Sequence, residues 1–280
     1  MKSFEAMIKK LHICFLVTSI LFCLSARSNE NTDVINDLII DSGINEQIIQ
    51  FPKAMEYKIK QIYTLGQCDE LALNIINSSI QKTINIERMR NIVLNDLQAQ
   101  LTNDEIKKLN TWHKSALGKK IHLLELNSSS NEAYDEMKSE GLFLFANKQH
   151  LDFAKKIDFE LRATEWGVNV DLQTTIAMLG ALAQIQQKNI TPNLIQFALE
   201  LDEQKKLLNP QIEKSILTWY LYTFQSLNNK ELQTYLDFLK HENTKNFHQI
   251  VLKSLSHAIT VVIEDFIIAI ETDSNNTIEK

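Results

Sequence analysis

The chain has 280 residues, with 29 lysines and arginines against 35 acids and a formal charge of −6. That acidity argues against nucleic acid and anionic membrane surfaces as partners. Only six glycines and three prolines interrupt a sequence that is 44% hydrophobic, which leaves room for long regular elements and a sizeable core.

Residues 1–26 read as an export signal. Lys2, Lys9 and Lys10 form a basic start, Ile13 to Leu24 is an uncharged apolar run, and small residues follow. Cleavage after Ser25 (with Cys23 at −3), Ala26 or Ser28 fits. The run is short for a transmembrane helix, which wants about 20 residues. The chain is therefore expected in the periplasm or outside the cell, the alternative being an inner-membrane anchor through an uncleaved segment. The segment carries +2, which leaves −8 on the rest. Cys14 and Cys23 leave with it. Cys68 then stands alone, so no intramolecular disulfide can form, and it reads as a small buried hydrophobe rather than a reactive thiol.

From Thr32 onward, apolar residues recur at helical spacing and period-two alternation is scarce, so the chain is predicted to be all-α. Val34, Ile35, Leu38 and Ile39 form a stripe that Gly43 ends. Ile44, Ile48, Phe51, Met55, Ile59 and Ile62 form the next, with Pro52 kinking or restarting it. Leu71, Ile75, Ile76 and Ile80 form a third, and Ile86, Met89, Val93 and Leu97 a fourth.

Leu101 to Leu124 is the most informative stretch. Thr102 and Glu105 make a T-x-x-E capping box. Ile106, Leu109, Trp112 and His113 follow on one face. Ser115 to Gly118 is read as an interruption, with Lys119 and Lys120 opening the next helix. A diverged copy lies 126 residues later. Leu101–Ile121 against Leu227–Phe247 keeps Leu101/Leu227, Asn103/Asn229, Glu105/Glu231, Lys114/Lys240 and Lys119/Lys245, with Trp112/Phe238 both aromatic. Asp41 to Asn45 and Glu165 to Asn169 offer a second anchor, 124 apart. Duplication follows as an expectation: two similar multi-helix repeats, at 32–126 and 149–271, packed as a bundle or array. A linker helix at 127–148 joins them, and a disordered tail covers 272–280.

The first half resembles the bacterial domain-of-unknown-function 2059 family. Asp37 to Gly43, the Thr102/Glu105 helix start, the aromatic pair Trp112-His113 and Ser115-Ala116-Leu117-Gly118-Lys119-Lys120 carry the likeness. The family has Phe-Tyr where this chain has Trp-His, and proline where it has Ala116. The resemblance implies an exported, all-helical protein and supplies no catalytic residues.

In the second half, Ser129 and Glu132 suggest another capping box after the polar stretch Asn127 to Asn131. Tyr134 to Leu161 continue in helices up to Gly167. Ala177, Gly180 and Ala181 would let a neighbour approach closely. Thr191-Pro192 and Asn209-Pro210 read as helix starts.

Chemistry is sparse. There is no phosphate loop, G-x-S-x-G or H-E-x-x-H motif. The histidines are unpaired at i,i+4, and His241 and His248 stand two turns apart, so they read as scattered surface or cap residues. Glu132, Glu136 and Glu140 read as a solvated edge. No metal, cofactor or catalytic residue is assigned. Two stretches stand out. Trp219, Tyr220, Tyr222 and Phe224 are either packed core or the wall of an apolar pocket. Ala258 to Ile270 is apolar nearly all round, so Phe266 and Ile267 are either central to the second repeat or part of a partner surface, with Glu264 and Asp265 toward water.

The expected protein is exported and non-catalytic, binding or scaffolding an unknown protein or apolar ligand, with a homodimer as one form of partner. The alternatives are an apolar-ligand carrier with a pocket between helices, and a hydrolytic enzyme.

Overall fold

The computed structural model describes residues 32–185 and 201–278. The export segment and Thr191-Pro192 lie outside them. Among the described residues there are twelve helices and no strands. In chain order α1 covers 32–41, α2 Ile44–Thr64, α3 Glu70–Thr83, α4 Ile86–Gln100, α5 Asn103–His113 and α6 Ala116–Asn127. Then come α7 Asn131–Leu144, α8 Lys148–Leu161, α9 Ala163–Ile185, α10 Leu201–Thr223, α11 Asn229–Lys240 and α12 Glu242–Ile278. No described helix is long and apolar enough to cross a membrane.

Local chemistry sets most boundaries. Gly43 takes a left-handed φ of 77° between α1 and α2, as a glycine there can without strain. The stripe on α2 is buried as read, from Ile44 to Ile62, and Pro52 sits inside a continuous helix. Leu71 is a correction: it is exposed, and Ala72 takes the inward position with Ile76 and Ile80. The Thr102/Glu105 capping box is closed, with the Thr102 amide donating to Glu105 at 2.9 Å. Removing the Thr102 oxygen leaves first-turn amides unpaired. Thr102→Ala should therefore cost about 1 kcal/mol of stability in urea titration.

Several boundaries differ from the sequence reading. Ser115 caps α6, accepting from the Gly118 amide at 3.0 Å, so the break lies at Lys114–Ser115 and Gly118 is already helical. Gly118 is needed for another reason: a Cβ there would stand 2.2 Å from the Trp112 carbonyl oxygen. Ser130, not Ser129, caps α7, while the Ser129 hydroxyl donates to the Glu125 carbonyl. The chain turns at Arg162, with φ 53°, and Gly167 lies inside α9. The Gly43 and Gly167 segments therefore do not correspond. Pro210 is inside α10 rather than at a start. Helix α12 continues to Ile278 through the stretch read as a disordered tail; no glycine or proline stops it, and the Thr272 hydroxyl donates to the Ile268 carbonyl.

The core explains why two sequence halves make one body. The larger cluster gathers Ile35 to Leu109 from α1–α5 and Met178, Ala181 and Leu182 from α9, and α12 completes it with Phe247 to Ile270. The second cluster gathers residues of α8, α10 and α11, and α6 inserts Ile121 into it, with Leu117 and Leu124 alongside. Helix α12 thus packs on α3 and α4 of the first half and α9 of the second, while α6 reaches into the core of the second half. Ala258–Ile270 is central, as expected, but to a core that both halves share. Phe266 is fully buried, so it is no partner surface. Ile267 is half-buried, with Cδ1 3.6 Å from where a Cβ on Gly180 would stand. Asp265 pairs with Arg88 of α4, and only Ile268 is left as a large exposed apolar residue on that stretch.

The joint between the halves is reciprocal at an offset of 126. Trp112 stacks on its counterpart Phe238, with centroids 4.2 Å apart. Glu105 accepts from Asn246 at 2.9 Å, and its counterpart Glu231 accepts from Lys120, the counterpart of Asn246, at 2.8 Å. Both glutamates also close capping boxes, and α11 and α12 start 126 residues after α5 and α6. Residue i meeting j′ while j meets i′ is the contact pattern of a two-fold axis.

Candidate functional site

A cavity of about 360 Å³ lies at this joint, where α6 and α12 run from their crossed corners into opposite cores. Its size is in the range of small-molecule sites, about 300–1,000 Å³. The two helices supply its walls in matched pairs: Ile121/Phe247, His122/His248, Glu125/Val251 and Leu126/Leu252. All three tryptophans of the chain, Trp112, Trp166 and Trp219, line it. Tyr235 lies beyond Trp112, ring parallel to ring at 6.3 Å, and Tyr220 meets Trp219 edge-on at 5.4 Å.

The polar groups are unevenly divided. Every carboxylate in the wall, Asp41, Glu46 and Glu125, comes from the first half. The second half faces them with rings, leucines and His248. Glu125 is half-buried in the cavity wall. Burial raises its pKa to about 8 and the nearby Glu46 charge adds to this, while a hydrogen bond from Tyr235 acts the other way. The Tyr220 and Tyr235 hydroxyls are held well above their ordinary range, mainly by burial. Burial lowers His113 and His248 to about 4, with His122 adding to the effect on His113 and His113 to that on His248. Both are therefore neutral imidazoles at physiological pH. Two buried polar atoms, Glu46 Oε2 and His113 Nε2, make no hydrogen bond within the protein.

Of the residues singled out from sequence, Trp219 and Tyr220 line the cavity. Phe224 is core behind them, and Tyr222 turns away to donate to Glu136 of α7. Trp112, read as part of a structural motif with Thr102, Glu105 and Gly118, is also a wall residue. His241 is a cap, its Nδ1 accepting from the Asn243 amide. His113, His122 and His248 are not scattered: the fold brings them together. Two signals point to them. His122/His248 is an identity one residue beyond the aligned window, and Leu126/Leu252 is another at the same offset. Among the described residues, no three histidine, cysteine, aspartate or glutamate side chains are placed to hold a metal. Cys68 is free and half-buried against the larger core, with its thiol pKa raised by burial.

Fold and site together define an all-α protein with interlocked halves and a ring-walled cavity at their joint. No protein-family model, curated protein or solved structure matches the chain.

Proposed function

We propose that this is an exported, non-catalytic helical protein that binds a small ligand with an apolar body in the cavity between its halves. One observation carries the choice of a ligand-binding role over a pure scaffold. The cavity of about 360 Å³ gathers all three tryptophans, where packing alone would fill the space. The reciprocal joint supports descent from a duplicated six-helix unit whose last helices exchanged, so that the cavity formed on the axis relating the copies. The basic-then-apolar N-terminal segment supports export to the periplasm or beyond. A second reading, acid–base chemistry on the bound molecule, is favoured by Glu125, whose raised pKa beside Tyr235 is of the kind found at catalytic sites.

A neutral reporter dye, N-phenyl-1-naphthylamine, tests the binding reading. Its fluorescence should rise on mixing with the protein, with tryptophan emission quenched in parallel. Leu252→Trp, which fills the cavity, should weaken binding at least tenfold while the far-ultraviolet circular dichroism stays unchanged. Dye binding that is absent, or indifferent to that substitution, would count against a ligand cavity. Native mass spectrometry of protein taken from its own cells separates the two readings: an unaltered companion molecule supports a carrier, and a product of altered mass supports an enzyme.

A further inference from the structure

The departures from the two-fold pattern say what kind of ligand the cavity takes. Where the second half presents Val251, the first presents Glu125, and Glu46 joins it from α2. No lysine or arginine lines the cavity. Lys114, which feels the charge of the wall residue Asp41, is an exposed side chain already paired with Asp37 at 2.9 Å. The enclosed imidazoles of His113 and His248 are neutral and supply no counter-charge. Glu46 and Glu125 thus stand in the wall with no lysine or arginine beside them, a situation that a cationic hydrogen donor on a ligand would relieve. Opposite stand the rings, whose faces attract cations as well as apolar groups.

We propose that the cavity selects a primary or secondary amine on an apolar body, its ammonium hydrogens directed to Glu46 and Glu125 and its body against Trp112, Trp166 and Trp219. An ammonium with N–H groups can donate to these carboxyl groups and a quaternary ammonium cannot, which favours primary and secondary amines. A carboxylate ligand would meet the Glu46 charge with no lysine or arginine in the wall to offset it. The inference rests on the cavity being a binding site, and its test can fail separately from that reading.

The experiment titrates the protein with 2-phenylethylamine, 2-phenylethanol and phenylacetate, following tryptophan emission. The amine should bind at least tenfold more tightly than the alcohol, and phenylacetate more weakly than either. Glu46→Gln, which keeps size and shape, should bring the amine down to the level of the alcohol and leave the alcohol unchanged; Glu125→Gln gives an independent second variant. An alcohol that binds as well as the amine overturns the inference, as does a preference for the amine that survives both substitutions. So does a trimethylated probe that binds more tightly than the amine. If the naphthylamine dye binds but none of the three phenyl probes does, the amine assignment fails and the cavity stands. If the dye also fails to bind, both fall.

Discussion

Phe266→Ala should lower the free energy of unfolding by about 3–5 kcal/mol, at the severe end for a single substitution. Phe266 is fully buried in the larger core, to which both halves contribute. Removing the ring deletes its transfer free energy and leaves a cavity that surrounding helices, already committed on several sides, can only partly close. Because α12 serves one core while α6 serves the other, the loss should not stay local. Urea unfolding should remain a single transition for both halves, shifted as a whole. Ile268→Ala, two residues on but 61% exposed, should change stability by no more than about 0.5 kcal/mol. A Phe266→Ala protein as stable as its parent, or two separate transitions, would contradict the interlocked core.

The second large effect is on pH dependence. Glu125 titrates at about 8 in the folded protein against an ordinary 4.5. Between these values the unfolded chain binds fewer protons than the folded one, so stability falls as pH rises across the window and levels off above about 8. His113 and His248 work in the opposite sense, at about 4 folded against 6.5. Across that lower window the unfolded chain binds more protons, so stability is present above 6.5 and is lost as pH falls toward 4. Below 6.5 two histidines oppose one glutamate; above it the glutamate acts alone. Stability should therefore peak near pH 6.5 and drop by roughly 1 kcal/mol by pH 8, because the histidines still add a little over the same interval. Glu125→Gln keeps a group able to pair with Tyr235 and removes the titration. It should abolish the alkaline drop and steepen the acid side, where the two histidines then act unopposed. Parallel pH profiles for parent and variant in urea titrations would show that Glu125 is not desolvated as described. An amine that binds at the site should reduce the parent's alkaline drop, because it stabilises the ionised carboxylate.

The amino-acid sequence by itself determined what is local. Helical periodicity made the chain all-α, because apolar residues three and four apart share a helix face whatever they later touch. The Thr102/Glu105 and Asn228/Glu231 boxes fixed two helix starts through hydrogen bonds spanning only three residues. The 126-residue offset was written in identities. Even so, some local signals misled. Gly118 looked like a break and is an intrahelical point of close approach, while Arg162, with no special sequence mark, makes the left-handed turn.

Only the tertiary structure decided which core each helix enters. The apolar faces of α6 and α12 carry no address: Ile121 and Phe266 would be equally satisfied in either half. Exchange is a property of the corner geometry at Lys114–Ser115 and His241, and of how far α12 runs. The site depended on the same decision. Glu46, Glu125, Trp166 and His248 are separated by up to two hundred residues of chain, and nothing in their spacing brings them together. They converge because the two corners cross with Trp112 on Phe238, which directs α6 and α12 past one another and leaves the space between. Burial then does the rest. It makes an ordinary glutamate hold its proton and ordinary histidines shed theirs, which no sequence window can show because desolvation is a property of the whole fold.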